Sequence, residues 1–210
     1  MSEQVKTKEK VVMDPKYIIK LTLTLLITCV IVAGLLGLVN QLTAPNIAAI
    51  NKANTEKAMA AVVADPASTF SDPLSITDDM TAAAAQYKTT VSEIYEVQSN
   101  GAAAGYAVKV NASGSQGTIV MMVGVDSEGA VTGVSIVKNA ETSGIGTRVM
   151  NNEALANSGV GVLDQFVGMS HADGDLAVGT NVDDITGATV SSKGVTSGVN
   201  GALAVVEAMG

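Results

Sequence analysis

Asp183-Asp184-Ile185-Thr186-Gly187-Ala188-Thr189-Val190-Ser191-Ser192 is the stretch around which the rest of the chain is organised. Gly187 and Ala188 carry so little side chain that a bulky ligand can approach the backbone. Thr186, Thr189, Ser191 and Ser192 bring hydroxyls. Directly afterwards Val195, Val199, Leu203 and Val206, with Ala202 beside them, recur at helical spacing, so the stretch leads into an amphipathic helix. The unpaired N–H groups and partial positive charge of a helix N-terminus suit a phosphate or another anion. A Thr or Ser at a helix start is also the common mark of an N-cap, and residue type taken alone favours that reading. Lys193 would add charge near the same end. Gly194, Gly198 and Gly201 each cost a helix about 1 kcal/mol relative to alanine, which makes sense where the helix packs very closely or frays.

Upstream, four runs read as strands. Val91–Val97 is rich in β-branched and aromatic residues, and Tyr106–Asn111 alternates apolar and other residues with a period of two. Ile119–Val125 is continuously apolar, as a strand buried on both faces would be, and Val131–Lys138 alternates less cleanly. Gly101, Gly105, Gly114, Gly117 and Gly129 fall between the runs, and Asp126-Ser127-Glu128-Gly129 fits a hairpin turn. Connections this short favour antiparallel pairing. The expected domain, residues 86–210, is therefore α+β: an antiparallel sheet with flanking helices. Residues 163–168 read as a short helix or strand. Asn139-Ala140-Glu141-Thr142-Ser143-Gly144-Ile145-Gly146, taken alone, reads as a glycine-rich surface turn.

Toward the N-terminus, Tyr17–Val39 is almost wholly apolar and free of acidic residues, and residues 17–40 match one membrane-spanning helix of about 20 residues. Lys20, near its start, can snorkel to the interface. Residues 1–16 are a polar tail with Lys6, Lys8, Lys10 and Lys16. Lysines before the span and an acidic domain after it place the N-terminus in the cytoplasm and the domain on the extracytoplasmic side. A signal peptide would have a shorter apolar core, and Pro45 follows the one tempting cleavage site. A lipoprotein box at Leu26–Cys29 is disfavoured by Thr28 and by the apolar run continuing past Cys29. Residues 41–85 read as a juxtamembrane helix over Leu42–Val63, then an irregular linker, from Asp65 to Ala85, with one helical turn.

The 210 residues carry a net charge of −8, no tryptophan and few aromatics, which argues against nucleic-acid binding by charge or by base stacking. One cysteine, Cys29, excludes an internal disulfide and any multi-cysteine metal or iron–sulfur site. The single histidine, His171, sits among Ser, Asp and Gly residues and reads as a solvated surface residue. No nucleophile–base pair presents itself, so no residue is assigned a catalytic role and a hydrolase is disfavoured.

The spacing Asp183, Thr186, Gly187, Ala188, Thr189 resembles the attachment motif of proteins that carry FMN as a phosphoester on the last threonine. These are the G subunit of the Rnf electron-transport complex and the C subunit of the sodium-pumping NADH:quinone oxidoreductase. The Asn139–Gly146 segment is similar to one that these families hold near the flavin, usually with Pro at the position of Ser143 and often with His at that of Asn139. The resemblance covers the whole plan of the chain, and its compact length favours the Rnf protein. It implies covalent FMN on Thr189, with Asp183, Thr186, Gly187 and Ala188 in the motif and Glu141, Thr142 and Gly144 as lining residues; Ser191 and Ser192 are candidates to donate hydrogen bonds to the phosphate. Asp183 is equally a turn cap by residue type. The resemblance also implies electron relay within a ferredoxin:NAD⁺ oxidoreductase coupled to Na⁺ or H⁺ movement. Its partners would be other membrane subunits, the bilayer, and a separate flavin transferase using FAD and magnesium, since a threonine hydroxyl needs activation to act as a nucleophile. The competing readings are an anchored binding or structural domain in which Thr186–Thr189 is only a helix cap, and a flavoprotein of another extracytoplasmic electron-transfer system.

Overall fold

A computed structural model describes residues 14–63, 65–99 and 101–210. Most of the N-terminal tail expected over residues 1–16 lies outside the described residues. The chain divides into two units after Ala49.

In the first unit the apolar run forms most of helix α1, Pro15–Ala61. Its leucines, isoleucines and valines are exposed on every side, Leu25 and Leu36 at 65% each. A helix that is apolar all round suits lipid rather than water, and α1 is long and apolar enough to cross a membrane. Thr24, Thr28 and Thr43 return their hydroxyls to backbone carbonyls three or four residues back, so they add no unpaired polar group to this surface. The helix runs on through Pro45 into the stretch expected as a juxtamembrane helix.

The second unit is built on five antiparallel strands in sequential order: β1 Thr69–Phe70, β2 Thr90–Ser99, β3 Ala102–Ser113, β4 Thr118–Asp126 and β5 Val131–Lys138. Helices α2 (Asp78–Gln86), α3 (Gly146–Met150) and α4 (Thr189–Glu207) complete it. The four expected strands are present and each pairs with its neighbour in sequence. The β4–β5 hairpin turns where expected: Asp126 Oδ1 accepts from the amides of Glu128 and Ala130 at 2.9 Å each, and Gly129 adopts φ +83°. The segment from Asp65 to Ala85 is more ordered than its composition suggests. Leu74 N donates to Ile94 O, β1 pairs with β2, and Thr77 caps α2.

β4 is buried on both faces because the sheet is covered on both. On one face α4 packs on Ile94, Val108, Val110, Ile119, Met121 and Val123 through Val195, Val199 and Leu203. On the other, Ala58, Met59 and Val62 rest on Val97, Ala107, Met122 and Val137. The paired residues Gly124 and Gly133 make a notch for the end of α1: a Cβ on Gly124 would strike Val62 O, and one on Gly133 would lie 3.0 Å from Val62 Cα. Thr132 Oγ1 then donates to Val62 O at 2.5 Å. Nearby, Lys109 bonds Thr55 at 3.2 Å and Glu93 at 3.0 Å. Burial works against the Glu93 carboxylate, but hydrogen bonds from Tyr95 and Lys109 hold it below its ordinary pKa.

The glycines of α4 are explained by close packing. A Cβ on Gly194 would lie 2.5 Å from Ser113 O, one on Gly198 2.6 Å from Met121 Cε, and one on Gly201 would overlap Thr89 Oγ1. The 163–168 segment forms a short 3₁₀ turn, Asp164–Phe166, that buries Phe166. Contrary to the surface reading, the His171 side chain is only 10% exposed. Its ring lies 5.5 Å from that of Tyr87, with Nε2 3.3 Å from Asn200 Oδ1 and Nδ1 3.2 Å from Glu207. Asn200 also bonds both backbone groups of Leu176, so the histidine belongs to a polar junction that ties a loop to α4.

Candidate functional site

The motif Asp183–Thr189 is held by neighbours distant in sequence. Gln165 bonds Asp183 twice, accepting from its amide at 2.9 Å and donating to its carbonyl at 3.0 Å. Arg148 donates to Thr186 O at 3.2 Å while its guanidinium forks onto Glu153 at 2.9 and 2.6 Å. The hydrogen bond from Arg148 holds the Glu153 carboxyl below its usual pKa. Ala188 N donates to Ile185 O at 2.8 Å, closing a turn with Gly187 at its third position and φ +86°. That is the type II arrangement, in which the third residue must accept positive φ. Glycine is there for backbone reasons as well as for access.

Helix α4 begins immediately after. Its N-cap is Ala188, which has no side-chain oxygen, and the first helical bond runs from Ser192 N to Ala188 O at 3.0 Å. The cap reading of the hydroxyl residues is thereby corrected: Thr189 is the first helical residue, and no side chain caps the helix. The N-terminus keeps its partial positive charge, with no side-chain oxygen to offset it among the described residues.

A cavity of about 170 Å³ opens at this helix end, walled by Thr189, Val190, Ser191, Gly187 and Ala188 on one side and by Glu141, Thr142, Ile145 and Gly146 on the other, with Ser115 at its edge. The 139–146 turn and the 183–189 motif, far apart in the chain, therefore face each other. Glu141 is the hinge of this arrangement. It is 8% exposed and accepts hydrogen bonds from Ser191 Oγ through Oε2 and from Gln116 N, at 3.2 Å, through Oε1. Gly114 and Gly146 close around it, since a Cβ on either would collide with a carboxylate oxygen.

The sequence candidates divide by position. Glu141, Thr142, Gly187, Ala188, Thr189 and Ser191 line the cavity, although Ser191 spends its hydroxyl on Glu141. Asp183 and Thr186 are exposed residues of the incoming segment. Gly144, φ +77°, shapes the turn without lining the cavity. Ser192 is turned inward at 2% exposure, and its hydroxyl has no hydrogen-bond partner among the described residues. Ser115, Gln116, Arg148 and Gln165 are not found from sequence. Gln116, Arg148 and Gln165 reach Glu141, Thr186 and Asp183 across eighteen or more residues of chain, and none of the four carries a local signal.

Residues 114–204 match the family model of the FMN-binding domain, and residues 13–62 match that of the RnfG N-terminal region. The G subunit of the Na(+)-translocating ferredoxin:NAD(+) oxidoreductase complex of Acetobacterium woodii is 33% identical over 210 residues, spanning 96% of this chain and 97% of that protein. The G subunit of the ion-translocating oxidoreductase complex of Methanosarcina acetivorans is 29% identical over 200 residues, 93% and 97% of the two chains. The protein of the same name from Haemophilus influenzae is 29% identical over 109 residues, about half of each chain.

Proposed function

The chain belongs to the G-subunit family of ion-translocating oxidoreductase (Rnf) complexes, and on that premise we propose that it is the membrane-bound protein that carries FMN on Thr189 as a phosphoester. It is a flavoprotein electron-transfer component, working beside the other proteins of its complex rather than as a complete enzyme. The observation that carries the reading is the position of Thr189: first residue of an α4 without a side-chain cap, in the wall of a cavity that the Glu141 turn completes.

The residues present fit the cofactor. An anionic phosphate at Thr189 would complement the partial charge of the helix end. Gly187 keeps the approach open, and the exposed Val190 and Ile145, at 57% and 51%, offer apolar surface beside it. FMN, when bound, supplies the electron-accepting chemistry. The chain's own part is to retain and orient it: Gln165 and Arg148 hold the Asp183–Thr186 segment, and the Gly187 turn presents Thr189. Among the described residues lining the cavity, the one carboxylate is Glu141, which is engaged by Ser191 and Gln116, and none is a free base beside Thr189. Attachment is therefore assigned to a separate flavin transferase.

In this reading residues 1–16 are a cytoplasmic tail, 17–40 the span, 41–85 a linker, and 86–210 the flavin domain on the extracytoplasmic side. The lysines before the span support that orientation. The relay links ferredoxin and NAD⁺ with Na⁺ or H⁺ translocation, as the name of the Acetobacterium relative describes for its own complex with Na⁺.

The test is the intact mass of the full chain from its native membrane, with Thr189→Ala expressed in the same host. An added FMN phosphoester that the variant lacks is the expected result. An unmodified mass in the native membrane refutes covalent attachment.

A further inference from the structure

We propose that Glu141 is a charge-bearing residue that sets the electron affinity of the flavin, holding its reduction potential lower than the cavity would otherwise give. The inference rests on the reading that the flavin is attached at Thr189. It concerns what this chain's own wall does to the flavin once it is there.

Among the described residues whose side chains line the cavity, Glu141 alone is acidic or basic. It is a buried carboxylate, 8% exposed, without a basic partner: its two hydrogen-bond donors, Ser191 Oγ and Gln116 N, are both neutral. The charged groups on neighbouring segments are otherwise engaged or turned to solvent. Arg148 is forked onto Glu153, Lys138, Asp183 and Lys193 are exposed, and Asp184 is half-buried; none of them lines the cavity.

The fold keeps this carboxylate in place at some expense. The carboxylate is closely enclosed: a Cβ on Gly114 would meet Oε1 together with Gly117 O and Ile119 Cδ1, and one on Gly146 would meet Oε2 together with Glu141 Cβ and Ser191 Oγ. Ser191, in the first turn of the helix that carries Thr189, gives up its hydroxyl to Oε2. A glutamate needed only to brace the turn could be replaced by a neutral side chain of the same shape, and a carboxylate left with neutral donors makes its field felt in the cavity. Were the bound flavin ring to lie about 10 Å away, an uncompensated unit charge at an effective permittivity of about 20 would shift its electron-uptake equilibrium by roughly tenfold. Negative charge disfavours electron uptake, so the shift is toward lower potential.

The experiment is spectroelectrochemical titration of the full-length protein, flavinylated in a host supplying the transferase, as wild type, Glu141→Gln and Glu141→Asp. Intact mass on each sample reports loading, and thermal unfolding reports packing. The glutamine keeps the shape and removes the charge, so its potential should rise by an amount equivalent to roughly tenfold, about 59 mV for one electron. The aspartate keeps the charge on a shorter stem, so its potential should stay near that of wild type even if its unfolding temperature falls. Equal potentials in wild type and Glu141→Gln overturn the proposal. A shift shared by both variants does so too, because it would follow packing rather than charge. Loss of loading in a folded Glu141→Gln protein also overturns it, by giving the residue a role in attachment. No flavin mass on the wild type refutes the attachment reading itself, and the tuning proposal with it.

Discussion

Alanine substitution at the three glycines of α4 sets helix propensity against packing. In an isolated helix each Gly→Ala change should stabilise by about 1 kcal/mol. In this fold the three positions should part company. At Gly194 the new methyl would sit 2.5 Å from the backbone oxygen of Ser113, where an ordinary contact is at least 3.4 Å, so strand and helix must separate by about 0.9 Å. Overpacking of this kind costs about 1–3 kcal/mol, which leaves a net change of about zero to a loss of 2 kcal/mol. At Gly201 the methyl meets Thr89, which is 2% exposed and donates to Ala84 O at 2.9 Å. Moving that hydroxyl breaks a buried hydrogen bond worth about 1–3 kcal/mol, so with overpacking and propensity together the net loss is about 1–5 kcal/mol. At Gly198 the neighbour is the flexible end of Met121, and a side chain with several rotatable bonds can yield, so the net effect should be close to zero. Chemical or thermal unfolding of the full chain in one detergent gives the order. Gly201→Ala should be the least stable, with its midpoint lowered by at least about 2 °C. Gly194→Ala should come next, and Gly198→Ala should lie near wild type. Three equal stabilisations of about 1 kcal/mol would refute the close-packed account of this helix.

Two further outcomes follow from hydrogen bonds elsewhere in the domain. Thr132→Val removes the donor to Val62 O and should destabilise by about 1–2 kcal/mol; an unchanged denaturation midpoint would show that this bond adds nothing to the seat of α1. The folded-state pKa values of Asp65, Glu93 and Glu153 are depressed, by hydrogen bonds from Ala67 and Ser99, from Tyr95 and Lys109, and from Arg148 respectively. Below their ordinary values the unfolded chain therefore binds more protons than the folded one. Their contribution is full above pH about 5 and drains away as pH falls through the folded values. Equilibrium unfolding across pH 3–6 should show stability declining on the acid side, and Lys109→Met should flatten the Glu93 share of that decline. A stability that is level across this range would contradict the assignment.

The sheet is legible in the sequence because its signals are local. Alternation, glycine punctuation and the Asp126–Gly129 turn act over a few residues, and a continuous apolar run such as Ile119–Val125 announces two covered faces. The membrane helix is legible for the same reason, since twenty-odd apolar residues need no tertiary context. The order between Asp65 and Ala85 is not, because β1 exists by pairing with β2 and Leu74 by its bond to Ile94, neither of which leaves a trace in the segment itself. His171 misleads on the same ground. Its neighbours in sequence are polar, while its partners in space are Tyr87, Asn200 and Glu207.

The site divides along the same line. The Gly187 turn can be read from the motif, since the type II turn needs its glycine at that place and the helix begins two residues later, at Thr189. What could not be read is which hydroxyls remain available to a ligand. Ser191 and Ser192 are chemically alike and adjacent, yet one is bound to Glu141 at the cavity wall and the other is turned inward without a partner among the described residues. The choice between them is made by helix rotation, and the rotation is set by Gly194, Gly198 and Gly201 letting α4 sink onto β3, β4 and Thr89. The glycines that look like weaknesses of a helix are thus what brings Ser191, and through it Glu141, to the wall beside Thr189. A packing change at Gly194, in the same helix as Thr189, should therefore disturb the site as well as the core.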